Sequence, residues 1–275
     1  MAHTTPVPSY SKVIDHKYEL SGLMKALLEE SLNHDVTFRV EDRNFKAHRS
    51  ILAIQSKVFR QMLIDETGKT TVVNLDDKRK AASFESFLYY LYTGCFDITS
   101  VDIKVAADVL STARAFQVEN LIAALDESLK LFVDLDTVFI LFQSAFDNGA
   151  KGLLDFCREF MCDNAVQIVN SPLFATISVD AVVDIISNDF FAAPEMEILQ
   201  AITYWHENNS DVDLTAVFER VRFELVSLDG WSLAQVAPVC KLLNAYKIDL
   251  HEAVNSSIAG VQEGVPKRNR FNLGE

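Results

Sequence analysis

The sequence predicts a mixed α/β unit to about residue 130, followed by an all-helical unit to about residue 255. Three observations carry that prediction. The apolar period changes from helical to alternating and back within the first part of the chain, whereas no convincing alternating run follows residue 132. Gly and Pro together number 15 of 275 residues, about 5% against roughly 12% in average usage. Such a shortage of turn formers argues against collagen-like, low-complexity and turn-dense all-β chains. Phe supplies 19 residues, ample material for packed cores.

The elements follow in chain order. Residues 1–17, with Pro6 and Pro8, are expected to form a flexible lead-in. Leu20, Leu23, Met24, Leu27 and Leu28 recur at helical spacing and mark one apolar stripe. Asp35 to Val40 then alternates strictly, as a half-buried strand does, and a polar turn over Glu41 to Asn44 leads into a second short strand at Phe45 and Ala47. Two short helices are expected over Arg49 to Ala53 and Ser56 to Ile64, the second capped by the Ser56 hydroxyl. Thr71 to Leu75 reads as another strand. A helix around Phe84 to Leu91 should end at Gly94 in a left-handed cap. Helices over 101–115 and 118–132 close this unit. Beyond it, Leu135 to Phe146, Gly152 to Met161, Val179 to Ile186, Glu195 to Glu207 and Leu214 to Val221 are apolar at helical spacing, with Pro194 suited to a first helical position. Residues 256–275 read as a polar tail.

Net charge is −14 and the isoelectric point about 4.8. An acidic surface opposes nucleic acid, whose binding rests on Lys and Arg displacing counterions; the basic cluster in the tail, Lys267, Arg268 and Arg270, reads as a solvated end, and Lys78-Arg79-Lys80 follows Asp76-Asp77 in a charged, solvated loop. Neither a signal peptide nor an apolar run long enough to span a membrane is evident, so no membrane partner is expected. The expected compartment is the cytoplasm, with the nucleus also open. Four cysteines (Cys95, Cys157, Cys162 and Cys240) are too few for a disulfide framework and read as reduced, mostly buried thiols.

Catalytic signatures are sparse. No phosphate-cradling glycine loop and no G-x-S-x-G elbow occurs, and no metal or other cofactor is expected. The best acid/base candidate is Asp35 with His48 and a nearby Ser50 or Ser56, where a carboxylate could orient an imidazole. The competing structural reading has His48 opening a helix and bonding to backbone while Asp35 pairs with Arg49. A zinc- or thiol-dependent enzyme rests only on that pair and on Cys157 with Cys162.

Several phrases carry a resemblance. Asp35-Val36-x-Phe38-x-Val40, then Phe45-x-Ala47-His48-Arg49-x-Ile51-Leu52-Ala53-x-x-Ser56-x-x-Phe59-x-x-Met62, then Leu88-x-x-Leu91-Tyr92-Thr93-Gly94, resemble a BTB/POZ domain. Leu153, Cys157, Phe160, Asn164 and Ala165, then Ser187 through Glu195, then Ala201-Ile202-x-x-Trp205, resemble a BACK domain. The resemblance implies a BTB/POZ fold, a short sheet flanked by helices, over 18–130 and a helical BACK domain over 131–255.

It further implies a homodimeric adaptor that recruits cullin-3 to a ubiquitin ligase and performs no chemistry itself. The dimer would use Leu20, Leu23, Met24 and Leu27 of the first helix, with Ile51 facing them. Cullin-3 would be met by a hydrophobic–x–acidic motif, here Ile64, Asp65 and Glu66. Ile64 stands where Met or Phe is usual, however, and the segment up to the next strand is shorter than usual. A BTB scaffold that dimerises without cullin is therefore the alternative. Asp35, His48 and Arg49 match positions that hold the fold and its pocket together. Family members add a substrate-reading module after BACK, so this sequence is expected to be part of a longer chain or to read an unknown protein substrate through its BACK helices.

Overall fold

A computed structural model describes residues 16–63, 71–75 and 79–254. Most of the expected lead-in, the tail, and Ile64, Asp65 and Glu66 lie outside the described residues. The chain divides into two compact units, 1–119 and 120–275.

The first unit begins with α1 (Lys17–Glu29), then β1 (Val36–Val40) and β2 (Arg43–Ala47). Glu41 takes a left-handed φ of 51°, which tightens the hairpin turn. Arg43 and Asn44, expected in that turn, therefore pair within the strands instead, Val40 opposite Arg43 and Arg39 opposite Asn44. Next come α2 (Arg49–Gln55), α3 (Lys57–Met62), β3 (Thr71–Asn74) and α4 (Ala81–Thr93). Gly94 closes α4 at φ 69°, as a left-handed cap requires. A 3-10 turn over Ile98–Ser100 precedes α5 (Ile103–Ala115), whose Asp102 carboxylate accepts from the Lys104 N–H. The sheet order is β2-β1-β3, with β3 parallel to β1.

Strand β1 turns Val36, Phe38 and Val40 into the core and leaves Arg39 exposed, so its alternation sets which face is buried. Phe38 meets Phe59 of α3 and Phe84 of α4, each with ring centroids 5.4 Å apart. Phe116, just past α5, stacks on Phe59 at 4.1 Å and on Phe87 at 5.6 Å. The same junction is tied through Ser56, whose hydroxyl accepts from the Phe59 N–H at 3.0 Å and donates to the Phe116 carbonyl at 2.5 Å. Ser56 thus caps α3 and satisfies a buried carbonyl 60 residues away. From a different element, Glu41 serves α4: its carboxylate accepts from the Ala81 N–H at 2.9 Å, chiefly for that reason it sits below the ordinary carboxylate pKa, and Lys80 adds to the effect.

The second unit is helical among the described residues. It comprises α6 (Glu119–Ser128), α7 (Val138–Asn148), α8 (Lys151–Asp163), α9 (Ala165–Val169), α10 (Val179–Ile186), α11 (Glu195–Asn208), α12 (Thr215–Phe218) and α13 (Leu233–Ala245). Short 3-10 segments lie at Leu129–Phe132, Pro172–Thr176 and Phe223–Leu225. Arg158 of α8 grips Asp184 of α10 with two parallel bonds of 2.7 and 2.8 Å, while Trp205 of α11 donates to the Ile177 carbonyl at 2.8 Å. Pro194 caps α11 with extended ψ 134° rather than occupying its first helical position. Helix α13, with Pro238 in its interior, was not expected, because an internal proline removes a backbone donor and reads as a helix breaker.

Replacing Ser56 by Ala should lower the unfolding free energy by about 2–3 kcal/mol, a lost cap plus an unsatisfied buried carbonyl. Urea denaturation followed by circular dichroism measures this. Ser50→Ala, at an exposed position on α2, should change it by no more than about 0.5 kcal/mol.

Candidate functional site

Helix α1 carries the stripe picked out by its sequence spacing, but none of its residues is buried. Leu20 and Leu23 are 61% and 68% exposed, and Tyr18 93%. Met24, Leu27 and Leu28 are half-buried. The helix is held to α4 by other residues: Ser21 donates to the Thr93 carbonyl at 3.2 Å, and the Lys25 ammonium lies 5.9 Å from the Tyr89 ring centre. Leu20 and Leu23 therefore stand outward on a helix that other contacts already fix. Ile51 of α2 is half-buried, and Ile54, one turn on, is 79% exposed. Tyr18 and Ile54 enlarge the exposed apolar set beyond the residues read from sequence. The Ile51-x-x-Ile54 spacing could have revealed the second; Tyr18 lay just outside the stripe.

Asp35, His48 and Arg49 come together, though not as an acid/base pair. Asp35 Oδ1 accepts from the Arg49 backbone N–H at 2.8 Å, and Arg49 Nε donates to the Asp35 carbonyl at 3.2 Å. The expected Asp35–Arg49 pairing is present, then, but it runs through backbone groups. The guanidinium also donates to the Leu63 carbonyl at 3.0 Å and to the Thr71 hydroxyl. One side chain thereby joins the start of β1, the end of α3 and the start of β3.

His48 is nearly buried, and both of its ring nitrogens are engaged. Nε2 faces the Leu32 carbonyl at 2.5 Å, an acceptor only, so Nε2 carries the proton. Nδ1 then accepts from the Tyr92 hydroxyl at 2.7 Å, while that hydroxyl accepts from the His48 backbone N–H at 2.9 Å. Burial pushes the Tyr92 phenol up to about 12, so it remains a donor. With the imidazole bonded on both sides and the Ser56 hydroxyl given to Phe116, neither Ser56 nor Asp35 meets the histidine as a catalytic partner. Tyr92 was missed by sequence reasoning, since nothing local marks a partner 44 residues away.

The cysteines correct the expectation that most are buried: Cys157 is buried, Cys95 is exposed, and Cys162 and Cys240 are intermediate. Burial raises the Cys157 thiol to about 12, far from the thiolate that nucleophilic catalysis needs. Among the described residues, no three His, Cys, Asp or Glu side chains converge as metal ligands, and no helix is long and apolar enough to cross a membrane.

In the second unit Leu131 before α7, Leu135 and Phe156 of α8 are exposed. Charge is also segregated. Residues 1–119 hold 15 Lys and Arg against 16 Asp and Glu, a net −1, whereas residues 120–275 hold 10 against 23, a net −13.

Comparison with known proteins matches residues 24–132 to the BTB/POZ domain and residues 138–235 to the domain described as BTB And C-terminal Kelch, or BACK. The chain is 30% identical over 239 residues to BTB/POZ domain-containing protein 9 of Drosophila melanogaster, covering 87% of this chain and 33% of that protein. Against the Homo sapiens protein of that name it is 33% identical over 233 residues, covering 83% and 38%. Kelch-like protein 40 of Xenopus tropicalis is 25% identical over 217 residues, covering 75% and 35%. The chain thus spans about a third of the length of the curated relatives it matches. With a small three-stranded sheet among helices and then a helical region, matched in that order, the chain belongs to the BTB–BACK family.

Proposed function

We propose that this chain is a non-catalytic, homodimeric adaptor that brings a protein substrate to a cullin-3 ubiquitin ligase, acting in the cytoplasm or the nucleus. The observation that carries this reading is the outer face of α1, where Tyr18, Leu20 and Leu23 are exposed on a helix already seated on α4. An exposed apolar face on an ordered helix marks a contact surface, and the same face on a second copy is its natural complement in a two-fold pair. Leu20, Leu23, Met24 and Leu27, with Ile51 opposite, form the proposed dimer contact.

An adaptor needs no reacting groups. Its contribution is to raise the local concentration of substrate at a ligase bound elsewhere on the same assembly. The occupied imidazole of His48 and the protonated thiol of Cys157 accord with that role. Cullin docking is assigned to Ile64, Asp65 and Glu66 by family resemblance: an apolar side chain fills a groove while carboxylates meet a partner helix N-terminus. A second reading, a dimeric scaffold that binds no cullin, is favoured by the short connection between Met62 and Thr71.

Charging the outer face with Leu20→Asp and Leu23→Asp should convert a dimer of 30.9 kDa chains into monomer by light scattering at micromolar concentration. A one-chain mass for the unaltered protein would refute the dimer. The N-terminal region of cullin-3 should bind the dimer, and Ile64→Asp should weaken that complex at least about tenfold, roughly 1.4 kcal/mol, with the dimer intact. Absence of cullin binding by the unaltered protein would leave the scaffold.

A further inference from the structure

The second unit contains an open groove of about 310 Å³ between the α9 end and α11, lined by residues that neither the dimer nor the cullin assignment uses. Its size falls at the lower end of the range of ligand sites, roughly 300–1,000 Å³. That is room for one long side chain and its flanking backbone. One wall is Val169 and Pro172; the other is α11, where Glu197, Ala201 and Tyr204 fall at helical spacing along one face. Tyr204 is 45% exposed.

Glu197 is held in place by Asn170. The Asn170 amide donates both to the Val166 carbonyl at 2.9 Å and to Glu197 Oε2 at 2.8 Å. Both donors of that amide are thereby used, and Glu197 Oε1 has no partner among the described residues. No Lys, Arg or His lines the groove to neutralise it. The unit around it carries a net −13. A fixed carboxylate, an aromatic ring about two turns further along α11, and an apolar wall make up the complement of an arginine side chain: the stem lies on Val169 and Pro172, the planar guanidinium stacks on Tyr204, and its N–H fork meets Glu197.

We propose that this groove binds an arginine side chain presented by an extended, basic segment of a partner protein. In the adaptor reading that partner is the recruited substrate, and the role of the groove, though not its chemistry, rests on that reading. Attraction by the acidic unit would speed encounter with such a segment, and the groove would select the guanidinium.

The test uses the full chain, isotopically labelled, titrated with the peptide Ac-Gly-Ala-Arg-Ala-Gly-amide and with its citrulline counterpart, the neutral isostere. No cullin is present, so this result and the cullin result stand apart. The arginine peptide should shift the backbone amides of Asn170, Ser171 and Gln200 to Tyr204 saturably, and the citrulline peptide should bind at least about tenfold more weakly. Glu197→Gln and Tyr204→Ala should each reduce affinity at least about fivefold, whereas Tyr204→Phe, which keeps the ring, should stay within about twofold. Asp211→Asn, which removes the same charge from an exposed site elsewhere on the unit, should also stay within about twofold. Equal binding of the two peptides, equal weakening by Asp211→Asn and Glu197→Gln, or no saturable shift up to about 10 mM would each overturn the proposal.

Discussion

The first unit depends on one contact, the stacking of Phe116 against Phe59 and Phe87. Those rings come from the end of α5, from α3 and from α4, so a single aromatic layer fixes three helices against the sheet through Phe38. Aromatic pairs of this kind contribute about 0.5–1.5 kcal/mol beyond the area they bury. They also tie the rings to one another, since Phe59 and Phe87 themselves lie 6.3 Å apart. The Ser56 hydroxyl, bonded to the Phe116 carbonyl, sets the depth to which α3 can descend.

What the core fixes, the surface uses. With α4 positioned by Phe84 and Phe87, α1 is tied to it by Ser21 and Lys25, while Leu20 and Leu23 stay exposed. Under the adaptor reading, Tyr18, Leu20 and Leu23, the exposed apolar residues of this helix, are what it offers to a second copy. Arg49 does the corresponding work at the sheet: its bonds to Asp35, Leu63 and Thr71 keep three chain segments in register without drawing on the hydrophobic core. Because the guanidinium and the Asp35 carboxylate are both spent on structure, Arg49 and Asp35 act as scaffolding, and the contact proposed for α1 is apolar.

The legibility of the sequence follows the same division. Local periodicities were readable: the β1 alternation, the α1 stripe, the Ser56 cap and the Gly94 terminus each depend on neighbours a few residues away. Bonds between distant segments were not. Tyr92 with His48, Ser56 with Phe116 and Glu41 with Ala81 are set by how helices and strands meet, and no spacing rule encodes them. Helix α13 escaped for a different reason, since Pro238 cancels the signal its leucines and valines provide. The outer position of Leu20 and Leu23 was half legible. Spacing placed them on a stripe, but which part of the stripe meets α4 is decided by Ser21 and Lys25, polar residues that an apolar pattern ignores. The Glu197 groove gave no sequence signal, because its carboxylate, ring and apolar wall belong to two segments that only the fold juxtaposes.

The segregation of charge gives these surfaces different physics. The first unit is nearly neutral, with a net −1, so the contact proposed through α1 would draw on buried apolar area and respond weakly to ionic strength. The second, at −13, projects a field that salt shortens to about 8–10 Å at physiological strength. Under the adaptor reading this is a functional separation. Assembly with a second copy would persist across cellular salt, while capture of a basic segment would stay exchangeable, set by short-range pairing with Glu197 and by a screened approach. An adaptor must release what it recruits after each transfer, and a weak, salt-tuned contact on a permanently paired scaffold meets that requirement better than a second apolar interface would.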